Sequence, residues 1–348
     1  MAIQIDQLQT VVQRNCHIAD ANAATNYTLC IYLLKMREFY RWENQQSYSE
    51  ALPREQIGNW LREREALWES LEHAHFEHLD MGDRHLDPFE TEQINQSLLP
   101  HGLIYSAGLG YGATPHFFLG HLESQDQHQD YSVLIAADEL ARDLTAPPAM
   151  TLGNTIVLRR QSLRRMFWER VEQWYWNRPK NPMEKVMGFY DFDHDLENAL
   201  DKITSTEMHF VLLHEIGEVK AGKQLGQEWE TMLADLPRSK AELMIRAVRD
   251  HIADGLSTLP ELLRPEHTAS IHFYFANLNN MRKDLYPALL NAYHHWCESN
   301  NLQQLREQTQ LGLLHWSNLA EKILRLFNKQ EGKQSLKMIE TLIEQHRL

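Results

Sequence analysis

The sequence predicts a mostly helical α+β protein with a small, mainly antiparallel sheet in its middle third. The first ninety residues and the chain after Gln161 have apolar residues at helical spacing. Between them lie short runs rich in β-branched and aromatic residues, which is typical of strands. We therefore divide the chain into an N-terminal helical region at residues 1–97, a sheet region at 98–160 and a helical region at 161–348. The three regions could also pack as one compact domain.

Two helices are predicted in the N-terminal region. Residues 26–43 and 54–78 carry apolar side chains at helical intervals. Pro88, Pro100 and Gly102 then interrupt the chain, and its character changes. The sequence therefore predicts that the sheet begins just after Gly102.

Four strands are predicted in the sheet region, at residues 103–107, 116–122, 131–137 and 154–160. The polar segment S-Q-D-Q-H-Q-D, at residues 124–130, predicts a hairpin loop between the second strand and the third. The strands thus follow one another closely, as in an antiparallel sheet.

Two helix starts are marked in the third region. Residues 204–207 (T-S-T-E) and 239–242 (S-K-A-E) both match the capping box, in which a hydroxyl and a glutamate satisfy free backbone N–H groups. Pro237 separates the two helices and Pro260 closes the second. About three more helices are predicted from Ser270 to Leu348.

Composition narrows the class of protein. No run approaches the eighteen or so apolar residues that a membrane span needs, and the N-terminus does not resemble a secretion signal. The three cysteines have no C-x-x-C spacing, which fits a cytoplasmic protein. A net charge of -14 disfavours nucleic acid and anionic membranes as partners. The substrate, whether small molecule or peptide, and the oligomeric state leave no trace in the sequence.

The helix predicted to begin at the T-S-T-E capping box carries the sequence H-E-I-G-E at residues 214–218. His214 and Glu218 are four residues apart, so they lie within about 40° of each other on the helix and can reach one point. Glu215 points about 100° away. Gly217 costs roughly 1 kcal/mol in a helix interior, which suggests the close approach of another backbone or a ligand.

The helix predicted to begin at the S-K-A-E capping box carries the sequence R-D-H-I-A-D at residues 249–254. By periodicity His251 lies nearest the apolar stripe, Asp254 lies further round, and Asp250 lies almost opposite. His251 and Asp254 are therefore the expected partners of the first helix, and Asp250 is the weakest candidate. The stripe consists of Ala241, Ile245, Val248, Ile252, Leu256 and Leu259.

The H-E-x-x-E pattern resembles the zincin metallopeptidase helix H-E-x-x-H, and D-H-I-A-D resembles the downstream helix of the gluzincin branch. The resemblance implies that His214 and Glu218 are metal ligands and that Glu215 is the general base for a metal-bound water. It implies Asp250 or His251 as the third ligand. Asp254 would then orient a ligand. The wider pattern, with Y-L-L-K-M-R-E-F-Y-R-W-E near the start, is similar to an uncharacterised bacterial family.

Glu218 stands where zincins have a second histidine, which changes the expected metal. One or two histidines with two or three carboxylates suit Fe(II), Mn(II) or a pair of metals better than a single peptidase zinc, although Zn(II) stays a candidate. The sequence thus favours a cytoplasmic metal-dependent enzyme, most simply a hydrolase. The alternative is a non-catalytic binding or scaffold protein in which His214 and Glu218 meet Arg246, Arg249 or His251 in a buried network.

Four further motifs resemble binding sites but lack part of the required pattern. Residues 72–78 (E-H-A-H-F-E-H) contain one Glu-x-x-His unit of a di-iron site but lack its second half, so a solvated helix end is favoured. Residues 108–113 match G-x-G-x-x-A but precede a strand, which argues against a dinucleotide site. The arginines of residues 159–165 can grip an anion or pair with acids. Residues 191–195 lack the glycine and final glutamate of an EF-hand.

Overall fold

A computed structural model of the chain describes residues 4–110, 114–237, 239–278, 280–329 and 333–348. It confirms the predicted α+β class, with 66% helix, 14% strand and the sheet in the middle of the chain. The chain divides into two compact units. The first comprises residues 1–170 and 192–204, and the second comprises residues 171–191 and 205–348.

The first unit combines helices with two sheets. Its helices are α1 (Ile5–Ala23), α2 (Leu29–Glu43), α3 (Arg54–Leu71), α4 (Thr91–Leu98) and the first part of α5 (Arg160–Asn177). Its strands are β1 (Leu79–Met81), β2 (Arg84–Leu86), β3 (Leu103–Leu109), β4 (Pro115–Gln127), β5 (Ser132–Arg142), β6 (Ala149–Leu152) and β7 (Thr155–Arg159).

The larger sheet has five strands in the order β3-β4-β5-β7-β6, and β1 pairs with β2 in a sheet of two strands. Of the pairings described, only β5 with β7 is parallel. Successive side chains point to opposite faces of a strand. Phe117 and Leu119 therefore pack in the core on the α1 side, and Phe118 packs on the other face with Ile104 and Leu134.

The four predicted strands are present, but the predicted hairpin loop was too long. β4 runs on to Gln127, which pairs with Ser132, so the connection is confined to residues 128–131. Polar residues remain in the strand because backbone pairing does not require apolar side chains on a solvent-facing edge. Of the glycine-rich run, residues 111–113 lie outside the described residues, and β4 follows where a dinucleotide site would need a helix.

The second unit is helical throughout its described length. It contains the end of α5, the part of α7 (Leu196–Leu225) from Ser205 onward, and eight helices after it. The short helix α6 (Pro182–Met187) precedes α7 and also belongs to this unit. The eight later helices are α8 (Gln227–Asp235), α9 (Lys240–Ala253), α10 (Leu259–Leu262), α11 (Thr268–Asn277), α12 (Asn280–Leu285), α13 (Pro287–Ser299), α14 (Gln303–Lys329) and α15 (Lys333–Gln345). No described helix of the chain is both long and apolar enough to cross a membrane.

Helix α9 runs through the core of this unit, where α12, α14 and α15 pack against it. Ile245, Val248 and Ile252 are fully buried there with Trp316 of α14. Ser239 caps its N-terminus by accepting a hydrogen bond from the backbone N–H of Glu242 at 3.2 Å, as the capping box predicted. A π-helical turn, Asp254–Thr258, joins α9 to α10.

Three predictions for this region were wrong in detail. Thr204 does not cap a helix, because α7 already begins at Leu196 and the Thr204 hydroxyl donates to the carbonyl oxygen of Leu200. Pro260 lies in the first turn of α10, where a missing N–H costs nothing. The described residues from Thr268 onward form five helices rather than three.

Glu207, the other half of the expected capping box, is buried in the middle of α7. The hydroxyl of Ser270 donates a hydrogen bond to its carboxyl group at 2.5 Å. Burial raises the pKa of Glu207 to about 7, although the bond from Ser270 acts in the opposite direction. The folded protein therefore keeps a proton on this group at a pH where the unfolded chain has released it.

We expect Glu207 to make the protein less stable as the pH rises from about 4.5 to 7, because folding then requires proton uptake. At about 1.4 kcal/mol per pKa unit, the loss is roughly 3 kcal/mol. Urea unfolding at pH 5 and pH 8 should show this loss in the wild type and its absence in Glu207→Gln. The control Glu321→Gln alters an exposed carboxylate and should follow the wild type. A Glu207→Gln protein that loses as much stability as the wild type would contradict the assignment.

Candidate functional site

Three side chains from α7 and α9 converge in the second unit. His214 and Glu218 lie one turn apart on α7, and Asp250 belongs to α9. Each offers a nitrogen or oxygen atom, and these atoms lie within 4.8 Å of one another. All three side chains are half-buried. An imidazole and two carboxylates at this spacing form a donor set that fits a divalent metal ion.

The two helices meet at Gly217. A Cβ atom built on Gly217 would lie 2.3 Å from the carbonyl oxygen of Ala253, far inside van der Waals contact. The close backbone approach that the mid-helix glycine suggested is therefore confirmed. It allows side chains one turn away on each helix to reach one another.

Asp254 fixes the orientation of the His214 ring. Its carboxylate is 1% exposed and accepts a hydrogen bond from Nδ1 of His214 at 2.8 Å. The other ring nitrogen, Nε2, lies 3.6 Å from Oε1 of Glu218. Asp254 also accepts hydrogen bonds from the Tyr274 hydroxyl, at 2.6 Å, and from the guanidinium of Arg282.

Two arginines face the same carboxylates. Nη2 of Arg249 lies 3.3 Å from Oε2 of Glu218. Nε of Arg282 lies 3.9 Å from Oδ2 of Asp250, while its Nη2 binds Asp254. If His214 is protonated, three carboxylates are balanced by two guanidiniums and one imidazolium. The cluster is therefore close to neutral without a metal ion.

The carboxylates and cations of the cluster shift each other's pKa. Burial alone would lower the pKa of His214, but Asp254 and Glu218 raise it well above its usual value. Burial likewise opposes the ionisation of Glu218, yet the bond from His214 and the charge of Arg249 lower its pKa to about 2. Arg282 and His214 overcome burial at Asp254 and hold its pKa well below the usual range. The metal-free network is thus an ion-pair cluster.

Asp250 is the exception among the carboxylates. Burial raises its pKa, and the charges of Arg282 and His214 only partly offset that effect. Its closest charged partner is 3.9 Å away, beyond hydrogen-bond distance. Asp250 is therefore the carboxylate of the cluster whose charge is compensated least.

Periodicity ranked His251 above Asp250, and the structure places them the other way round. The His251 ring stacks on Trp316 with centroids 4.9 Å apart, and its Nε2 donates to the carbonyl oxygen of Arg282 at 3.0 Å. Burial, with the charge of Arg282, lowers the pKa of His251 to about 3. The ranking assumed one buried face, but neighbours surround α9, so the residue opposite the apolar stripe also meets a helix.

Glu215 lies beside the cluster. It follows His214 directly, is 8% exposed, and does not belong to the group of converging ligand atoms. This position agrees with the periodicity, which turned its side chain about 100° from the pair.

Sequence reasoning missed Arg282 and Tyr274. Both come from helices downstream of the two motifs, and no spacing relates them to Asp254. Arg249 was expected as a partner in the alternative network, and it does contact Glu218. Arg246 instead pairs with Glu242 on its own helix. The only indication of Arg282 in the sequence was general: a buried carboxylate such as that of Asp254 requires a cation nearby.

The other motifs do not gather metal ligands. Among the described residues, His214, Glu218 and Asp250 are the only group of three such side chains. Helix α3 ends at Leu71, so residues 72–78 are not helical and their Glu-x-x-His spacing has no common face. The arginines of residues 159–165 pair with acids: Arg159 with Glu139, Arg160 with Glu123, Arg164 with Glu197 and Asp201, and Arg165 with Glu169.

Two family models together cover most of the chain. The N-terminal domain of a family of unknown function (DUF6866) matches residues 7–159, and the C-terminal domain of the same family matches residues 164–346. The chain belongs to this family. The whole cluster lies within the C-terminal match, and neither match supports the zincin resemblance. No curated protein and no solved structure matches the chain.

We expect Gly217→Ala to destabilise the protein by about 1–3 kcal/mol, because the new methyl group must push α7 away from Ala253. Urea unfolding at constant pH measures the change. The matched control is Gly222→Ala on the same helix, where a Cβ meets only the movable end of Glu230 at 3.3 Å. Since alanine favours helix by up to about 1 kcal/mol, this control should be neutral or more stable. Equal destabilisation of both variants would contradict the close contact.

Proposed function

We propose that this protein is a metal-dependent enzyme, most simply a hydrolase, whose metal site consists of His214, Glu218 and Asp250. The hydrogen bond between Nδ1 of His214 and Asp254 carries the proposal. Metal-ligating histidines usually donate their other N–H to a carboxylate, which fixes the ring and makes the free nitrogen a better ligand. Here Nε2 is the remaining nitrogen, and it lies on the side of Glu218.

The donor set and its surroundings support a particular kind of metal. One imidazole with two carboxylates suits Mn(II), Fe(II) or Zn(II). When bound, such an ion supplies Lewis-acid activation of water for hydrolysis. Glu215, adjacent in sequence to His214, is the candidate general base, as in the zincin-like arrangement. Asp250 and Asp254 are four residues apart, which is the spacing of the carboxylate ligand and the aspartate in the gluzincin-type helix.

The proposal extends to substrate and location. A small-molecule or peptide substrate suits a half-buried site, and the net charge of -14 argues against nucleic acid. We place the protein in the cytoplasm because Cys16, Cys30 and Cys297 are all free.

A second function is favoured by the two arginines. Arg249 pairs with Glu218 and Arg282 with Asp254, so the same residues can act as a buried ion-pair network, a polar lock, in a non-catalytic binding or scaffold protein. The two functions differ in whether a metal ion displaces the proton of His214.

Metal analysis of the untagged full-length protein tests the proposal. We expect a stoichiometric divalent metal by mass spectrometry of the purified wild type, and its loss in His214→Ala. Asp250→Asn provides a gentler variant. This variant removes one proposed metal ligand, whereas the only ion pair it weakens among the described residues is the 3.9 Å pair with Arg282. It should therefore keep the fold and still lose the metal.

The control for these variants is His267→Ala. His267 lies 3.8 Å from Glu261, and the two side chains are 24% and 25% exposed, against 25% and 23% for His214 and Glu218. The His267→Ala substitution therefore removes a similar histidine–glutamate pair outside the cluster and should leave the metal content unchanged. A wild type without metal, even after purification with added Mn(II), Fe(II) or Zn(II), would rule out the metal site and favour the lock.

Glu215→Gln tests the catalytic part of the proposal. Because the amide cannot accept a proton, we expect hydrolysis of ester, phosphoester or peptide reporters by the metal-loaded protein to fall about 100-fold or more. The metal content should stay that of the wild type, since Glu215 is not among the converging ligands. Full activity in this variant would remove Glu215 from the mechanism. Loss of metal would instead make it a ligand.

A further inference from the structure

The first unit contains a cavity of about 800 Å³. Ligand sites for small molecules typically fall between about 300 and 1,000 Å³. Helix α2, strand β5 and the start of α5 supply much of its wall, including Arg41, Trp42, Tyr48, Glu139 and Arg142. The cavity is therefore large enough for an organic molecule and is lined by both charged and aromatic side chains.

The acids of this wall already have cationic partners. Glu139 lies 2.7 Å from Arg159 and 3.5 Å from Arg142. Glu38 lies 2.8 Å from Arg37 and 3.4 Å from Arg41. The remaining acids also have partners: Glu43 pairs with Arg64 and Glu197 with Arg164, while Asp138 forms a hydrogen bond with His121. Little carboxylate charge is left over to attract a cation.

Arg142, in contrast, retains unused donors. Its side chain is 1% exposed, and the only hydrogen bond that this side chain makes with the described residues is the long one from Nη1 to Glu139. Nε and Nη2 are buried, and neither has a hydrogen-bond partner in the part of the chain that the structure describes. Its guanidinium faces the rings of Phe39 and Trp42 at 5.4 and 5.3 Å. A buried guanidinium with idle N–H groups is costly unless an anion completes it.

Two neighbouring features point the same way. Burial and the charge of Arg165 lower the pKa of Arg142 to about 10, so the guanidinium lacks compensating negative charge. Gln46 also lines the cavity, and its Oε1 is a buried acceptor for which no described residue supplies a donor. The wall thus offers N–H donors for an anionic group and an acceptor for a hydroxyl or amine.

We propose that this cavity binds a small organic anion, with a carboxylate or phosphate group on Arg142 and a hydroxyl or amino group on Gln46. Arginine binds both anions through paired N–H groups, and its Nε and Nη2 form such a pair. The volume exceeds that of a bare ion, so the remainder of the ligand lies along Trp42 and Tyr48. This binding site is separate from the proposed metal function and does not depend on it.

Isothermal titration of the full-length protein with inorganic phosphate and with succinate tests the proposal, with sodium chloride at equal ionic strength as the blank. We expect one of the two anions to bind, which identifies the anionic group. Arg142→Lys keeps the charge but loses the paired geometry, so the Kd should rise at least about tenfold.

The matched control is Arg159→Lys. Arg159 is equally buried and also binds Glu139, but it stacks on Phe118 and does not line the cavity. Its Kd should remain that of the wild type. Equal weakening in both variants, or no binding of either anion to the wild type, would overturn the proposal.

A measurement on the wild type covers the case in which Arg142→Lys fails to fold. The binding anion should slow hydrogen exchange in peptides that contain Arg142 and Gln46, relative to chloride. Unchanged exchange in those peptides at a saturating anion concentration would also overturn the proposal.

Discussion

The buried carboxylate of Asp254 is the constraint on which the second unit depends. Its charge is almost completely removed from water, which costs several kcal/mol unless donors replace the lost solvation. The donors come from three different helices: His214 from α7, Tyr274 from α11 and Arg282 from α12. Because Asp254 also begins the π-helical turn after α9, one carboxylate ties four elements together. The His214 ring is oriented because it supplies one of the hydrogen bonds that the buried Asp254 carboxylate requires.

The candidate site could be predicted from the sequence only as far as its local part. The i, i+4 spacing of His214 and Glu218 and the cost of a mid-helix glycine at Gly217 are properties of a single helix, and both led to the observed arrangement. Arg282 could not be found in this way, because its contact with Asp254 is set by how α12 packs on α9. The ranking of His251 above Asp250 as a partner of the α7 residues failed for a related reason. Periodicity identifies one apolar face of a helix, whereas α9 has neighbouring helices on several faces.

The fold shows the same division between local and tertiary causes. Four strands of the larger sheet, β3, β4, β5 and β7, were predicted because their residue pattern is local, whereas the short strands β1, β2 and β6 depend on their partners. The T-S-T-E sequence meets the pattern of a capping box, but burial of Leu200 and Ile203 continues the helix through it. Ser239 does cap α9, because α8 ends at Asp235 and Leu236, the residue before Pro237, is extended, so no helix runs into α9. A capping pattern is therefore informative only where the preceding residues cannot themselves be helical.

The ion-pair network and the proposed metal site would be two states of the same geometry, which differ by one proton on His214 and one metal ion. Without metal, the carboxylates of Asp254 and Glu218 hold a proton on His214 and raise its pKa. A metal ion must displace that proton before Nε2 can act as a ligand, so its affinity must rise with pH. Replacing one proton by a divalent ion adds one positive charge to a cluster that is otherwise balanced. Asp250 is the carboxylate best able to absorb that charge, because its own compensation is the weakest in the cluster. Asp250 thus contributes least to the ion-pair network, and it is the residue on which the proposed metal site would depend most.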